Sequence, residues 1–134
     1  MSKILIVCTS WYEDHLKKMI QISKTSFESE YDIQFLTAPG AIELAALAKN
    51  SLSKENFSGV LFLGIIMRGE TSHYDLVSQE TFRSIGNLAL EFPDKAVINN
   101  VICIENETQL VERIEKNTLN NCNALRNLIH EKSC

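Results

Sequence analysis

With 134 residues the chain has room for one hydrophobic core, and a single domain spanning 1–134 is expected. Its apolar fraction of 45% is that of a globular protein and argues against disorder. A formal net charge of −4 argues against generic nucleic-acid binding, which needs a basic face.

The longest apolar run, residues 60–67, falls far short of the roughly 20 residues a membrane helix needs. Near the N-terminus the apolar stretch is cut short by Glu13 and Asp14, unlike a secretory signal with its apolar region of about 7–15 residues. A cytoplasmic protein with no membrane partner is therefore expected. Cys8, Cys103, Cys122 and Cys134 show no C-x-x-C pair and no metal-ligand spacing, so reduced thiols are the simplest account. Cys8 and Cys103 lie in apolar runs and read as small buried hydrophobes.

In chain order, residues 3–8 form a continuous β-branched run of the kind buried on both faces of a sheet. Leu16, Met19, Ile20, Ser23 and Phe27 then recur at helical spacing. Residues 32–37 read as the second strand. Ala38-Pro39-Gly40 breaks the chain before a segment of helix formers, residues 42–48. Residues 60–67 make the third strand, closed by Arg68-Gly69. Ser72 followed by Asp75 fits a variant capping box for a helix marked by Leu76, Val77, Ile85, Leu88 and Ala89, which Pro93 stops. Residues 96–98 and 101–104 supply the fourth strand. Residues 108–114 and 119–129 read as two terminal helices, with Leu125, Leu128 and Ile129 on one face.

Strands alternating with helices, and apolar on both faces, imply a parallel sheet covered on both sides. The expected fold is α/β: a three-layer α/β/α sandwich, flavodoxin-like, with a four-stranded parallel sheet.

In such sheets ligands bind beyond the carboxyl ends of the strands, which directs attention to the residues just after each apolar run. Gly69 permits close backbone approach. Glu70-Thr71-Ser72 opens a helix whose free N–H groups and positive dipole end favour an anion. His73, one step into that helix, is the side chain best suited to moving protons at neutral pH. A phosphate beside a histidine is one reading, and a capped helix with a surface histidine is the other. Trp11, the only tryptophan, is either a lid packed on the core or a stacking platform for a planar heterocycle. Glu43 either complements a helix dipole or accepts hydrogen bonds from sugar hydroxyls. Arg113, within Glu112-Arg113-Ile114-Glu115-Lys116, has a solvated face as its default.

Together, Pro39-Gly40-Ala41-Ile42-Glu43 and the ungapped stretch from Leu63-Gly64 through Arg68-Gly69-Glu70-Thr71-Ser72-His73-Tyr74-Asp75 resemble the lumazine synthase family. The similarity runs from Ile4 to about Lys132. The resemblance implies a transferase of riboflavin biosynthesis that condenses 5-amino-6-(D-ribitylamino)uracil with 3,4-dihydroxy-2-butanone 4-phosphate, without metal or organic cofactor. It implies that Trp11 stacks on the pyrimidine, that Ala41, Ile42 and Glu43 line the ribityl pocket, and that Ile65, Ile66 and Met67 present backbone groups to the uracil edge. It further implies that Glu70 and Thr71 hold the phosphate, that His73 transfers protons, and that Asn99 lies near a neighbouring subunit's ligand. Arg113 would pair with the phosphate. The implied assembly is a homopentamer whose active sites are shared between adjacent subunits. Outer-helix residues such as Ile85 and Leu88 would then face a partner.

Three departures from the family pattern stand out. Asn121 occupies the place of a lysine, Ile65 that of a threonine, and the chain begins almost directly at Ile4, without an added N-terminal strand. The last favours a pentamer over a sixty-subunit shell. The missing lysine keeps a second reading open, a flavin- or lumazine-binding oligomer without efficient turnover. A flavodoxin-like signalling domain would need an acidic cluster after the first strand, where Thr9-Ser10-Trp11 stands instead.

Overall fold

The computed structural model describes residues 1–133; Cys134, one of the four expected thiols, lies outside them. Strands β1 (Lys3–Thr9), β2 (Asp32–Ala38), β3 (Gly59–Met67) and β4 (Ala96–Ile104) pair in parallel in the order β2-β1-β3-β4. The central pair, β1 and β3, carries the apolar runs, since both faces of an inner strand are covered. Edge strand β2 mixes exposed and half-buried residues.

Between the strands run α1 (Glu13–Phe27), α2 (Leu44–Lys54) and α3 (His73–Glu91), and α4 (Glu107–Ser133) closes the described chain. From β1 the chain moves one way to β2, then reverses past β1 to β3 and on to β4. Right-handed crossovers therefore put α1 on one face and α2 and α3 on the other. The core divides accordingly. Ile4, Ile6, Leu61 and Leu63 pack with Leu16, Met19, Leu110 and Leu125 under α1 and α4. Leu5, Val7, Val60 and Phe62 pack with Leu44, Ala48, Ile85 and Leu88 under α2 and α3. The expected α/β/α sandwich with its four-stranded parallel sheet is the observed fold.

The expected pair of terminal helices is one helix. Leu110, Ile114, Thr118, Cys122, Leu125 and Ile129 form a single buried stripe at three- and four-residue spacing. The polar stretch around Lys116-Asn117 is the outward face of that helix, not a break. Nor does Ser72 build a capping box. It precedes α3 without a side-chain cap bond, and Asp75 turns to Arg68. Ile85 and Leu88 are sealed inside the chain's own core, so neither is a partner-facing residue. The exposed apolar side chains of α3 are Leu76, Phe82 and Leu90.

Candidate active site

The reversal of strand order between β1 and β3 opens a crevice at their carboxyl ends, the usual ligand site of such sheets. A cavity of about 540 Å³ lies there. Its wall draws on four chain segments: Thr9, Trp11 and Tyr12 after β1; Pro39 to Glu43 after β2; Ile65, Ile66 and Met67 at the end of β3; and Gly69, Thr71, His73, Tyr74 and Val77 beyond it.

The turn after β2 is a short 3-10 segment, Ala41–Glu43, rather than the start of the α-helix, which begins at Leu44. Gly40 precedes it in extended conformation, and a side chain there would meet Glu43 Oε1 at 3.1 Å. The carboxylate thus lies over the glycine at the cavity mouth. Trp11 projects over the same turn, 66% exposed, with its indole N–H donating to the Pro39 carbonyl at 3.2 Å. An indole this exposed suits a stacking platform better than a core lid.

Past β3 the backbone stays open. Among the described residues no acceptor takes up the amides of Glu70 and Thr71, and the Thr71 hydroxyl accepts the His73 N–H at 3.2 Å. A Cβ on Gly69 would have nothing within 4 Å, and its φ is not in the left-handed region. Its lack of a side chain answers no need inside the chain and leaves room for an approaching group. The nearby cation is already engaged. Arg68 bonds Glu105 through Nε at 2.7 Å and Asp75 at 3.3 Å, and its guanidinium lies 4.3 Å from the Tyr74 ring centroid. Burial, with Cys103 and Glu105 adding to it, pushes the Tyr74 phenol above its ordinary range, so it remains a neutral hydrogen-bonding group in the cavity wall.

Nine of the twelve residues singled out in the sequence meet at this cavity: Trp11, Ala41, Ile42, Glu43, Ile65, Ile66, Met67, Thr71 and His73. Glu70 sits between two lining residues without lining it. Asn99 lies within β4 and spends its side-chain oxygen on the Val101 N–H at 2.8 Å. Arg113 is exposed on α4, with no ion pair among the described residues. Asn121 is directed inward. Its amide donates to Asn100 at 2.6 Å, and Asn100 in turn donates to Thr118 at 3.0 Å. No group of three or more His, Cys, Asp or Glu among the described residues is placed to hold a metal ion.

Sequence reasoning missed Thr9, Tyr12, Tyr74 and Val77. Val77 could have been found, because position four after His73 shares its helix face. Tyr12 could not. It adopts φ 58°, a left-handed conformation costly for a bulky residue, while its carbonyl caps the amides of His15 and Leu16 at 3.0 Å each.

The profile of the 6,7-dimethyl-8-ribityllumazine synthase family matches residues 1–130. The chain belongs to this family. Two relatives bearing that name, from Novosphingobium aromaticivorans and Erythrobacter litoralis, are 32% and 34% identical to it over 117 residues. Those residues are 86% of this chain in both cases, and 82% and 81% of the respective relatives. A namesake from Neisseria meningitidis is 35% identical over 88 residues, covering 66% of this chain and 55% of its own. The matched region of the lumazine synthase family thus includes every wall of the cavity.

Proposed function

We propose that this chain is a lumazine synthase, a transferase of riboflavin biosynthesis. It condenses 5-amino-6-(D-ribitylamino)uracil with 3,4-dihydroxy-2-butanone 4-phosphate and releases 6,7-dimethyl-8-ribityllumazine, phosphate and water. The observation that carries the reading is one cavity shared by an exposed indole, a carboxylate over a glycine turn, the unclaimed Thr71 amide and an imidazole. Its volume of about 540 Å³ lies within the range of about 300–1,000 Å³ typical of small-molecule sites.

In this reading Trp11 stacks on the pyrimidine, whose edge meets backbone groups of Ile65, Ile66 and Met67. Ala41 and Ile42 flank the ribityl chain and Glu43 accepts its hydroxyls. The Glu70 and Thr71 amides receive the phosphate at the start of α3, where the dipole adds to the attraction. The uracil amine attacks the ketone to give a Schiff base with loss of water, phosphate departs, and the second amine closes the ring with loss of a second water. His73 carries protons between these steps, and proximity supplies most of the acceleration. No metal or organic cofactor is called for.

The phosphate still needs a mobile-charge partner, because Arg68 is neutralised by Asp75 and Glu105. Arg113 supplies it in our reading, from the adjacent protomer of a cytoplasmic homopentamer, with that protomer's Asn99 beside the ligand. The test mixes purified protein with both substrates and follows lumazine absorbance, with sedimentation on the same sample. Turnover well above the spontaneous condensation in a pentameric species is expected. A rate equal to the spontaneous one would favour the non-catalytic flavin- or lumazine-binding oligomer, which Asn121 in place of a lysine suggests.

A further inference from the structure

Two described hydroxyls are buried without any hydrogen-bond partner, Thr81 Oγ1 and Thr9 Oγ1. They are not equivalent. Thr81 lies in α3, where rotation about χ1 offers the carbonyl of the preceding turn. Thr9 ends β1, where extended backbone offers its hydroxyl no carbonyl of a preceding turn; the strand is paired with β2 at Thr9 and with β3 through Cys8. It is 4% exposed and lines the cavity. Its neighbour across the sheet is Gly64, where an added Cβ would stand 3.3 Å from Thr9 Cγ2 and 3.6 Å from Oγ1. The strand register puts Thr9 opposite Ala38, beside the turn that carries Glu43, and the other side of β1 faces the end of β3.

We infer that Thr9 is a specificity-determining residue whose hydroxyl is completed by a hydroxyl of a bound polyol chain. The inference rests on the synthase reading and adds a residue to it. A buried hydroxyl left unpaired raises the free energy of the empty protein, and a ligand group that pairs with it removes that penalty only on binding. The cavity offers Thr9 no protein partner, so the ligand supplies one. The carbonyl oxygens of the uracil have backbone groups of β3 to meet. The chain running from there to Glu43 passes over β1, and its hydroxyls both donate and accept, so either orientation of the Thr9 hydroxyl is satisfied.

The experiment compares wild type, Thr9→Val and Thr9→Ser. Two unreactive uracils serve as probes, each with a nitro group in place of the reacting amine, one carrying a ribityl chain and the other a pentyl chain. Thr9→Val should weaken the ribityl probe by about 3- to 12-fold, the worth of one neutral hydrogen bond, and leave the pentyl probe unchanged. Thr9→Ser should restore the ribityl affinity. The KM for the ribitylaminouracil should rise in Thr9→Val while that for the sugar phosphate stays. The ligand-free Thr9→Val protein should melt no lower than wild type, which separates a binding role from a structural one. Equal loss for both probes, or none for either, overturns the assignment of Thr9. A wild-type protein that binds neither probe and turns over neither substrate overturns the synthase reading and this inference with it.

Discussion

The rim formed by the ends of β1, β2 and β3 differs from the side formed by β4 and α4 in what each completes within one chain. The rim gathers an indole, a carboxylate and an imidazole around one cavity, although Trp11, Glu43 and His73 are far apart in sequence. On the other side, Asn99 is spent on its own strand and Arg113 stands exposed, with no ion pair among the described residues. The segments after β1, β2 and β3 line the cavity, and neither β4 nor α4 contributes to its wall. If one site draws on both regions, as we propose, a second copy must complete it, and that dependence can be broken experimentally.

The largest expected effect is on the rim itself. Replacing His73 with alanine should slow turnover by up to the 10²- to 10⁴-fold that is roughly typical of acid–base groups. A pH–rate profile identical to wild type would remove the imidazole from the mechanism. On the opposite side, Arg113→Ala should raise the KM for the sugar phosphate by about 10- to 100-fold, as expected for a charge-assisted bond, and spare uracil affinity. The reverse pattern in titrations would discard Arg113 as the phosphate's partner. Mixing the two variants after dissociation sharpens the comparison. If each site draws His73 from one protomer and Arg113 from the next, random reassembly should recover roughly a quarter of the wild-type rate. No recovery would mean that the two residues act from one protomer, and would overturn the shared site.

Smaller effects concern the supports beneath α4. Cutting the buried amide chain with Asn100→Ala should cost about 1–3 kcal/mol in denaturant unfolding, since Thr118 and Asn121 lose their partner. A variant as stable as wild type would show that the network contributes nothing. Least visible is the behaviour of the thiols. Burial pushes Cys8, Cys103 and Cys122 above the ordinary thiol value of about 8.5. With the folded value above the unfolded one, this contribution to stability is whole below that range and drains as pH rises through it. Alkylation at neutral pH should therefore track unfolding, and rapid labelling of any of the three in native protein, read by peptide mass, would contradict it.

Periodicity and composition alone determined the four strands, the doubly covered sheet and the loops that line the cavity, because those features depend on neighbours a few residues away. The same short-range reading split α4 in two and gave Ser72 a cap it does not make, since the burial of Thr118 and the pull of Arg68 on Asp75 come from distant elements. Only the tertiary structure decided that Trp11 and His73 share a cavity, that Asn121 turns inward to Asn100, and that Tyr12 is held left-handed. It also left Thr9 without a partner. A side chain's destination is set by the order in which strands cross, and that order is written in no local stretch of residues.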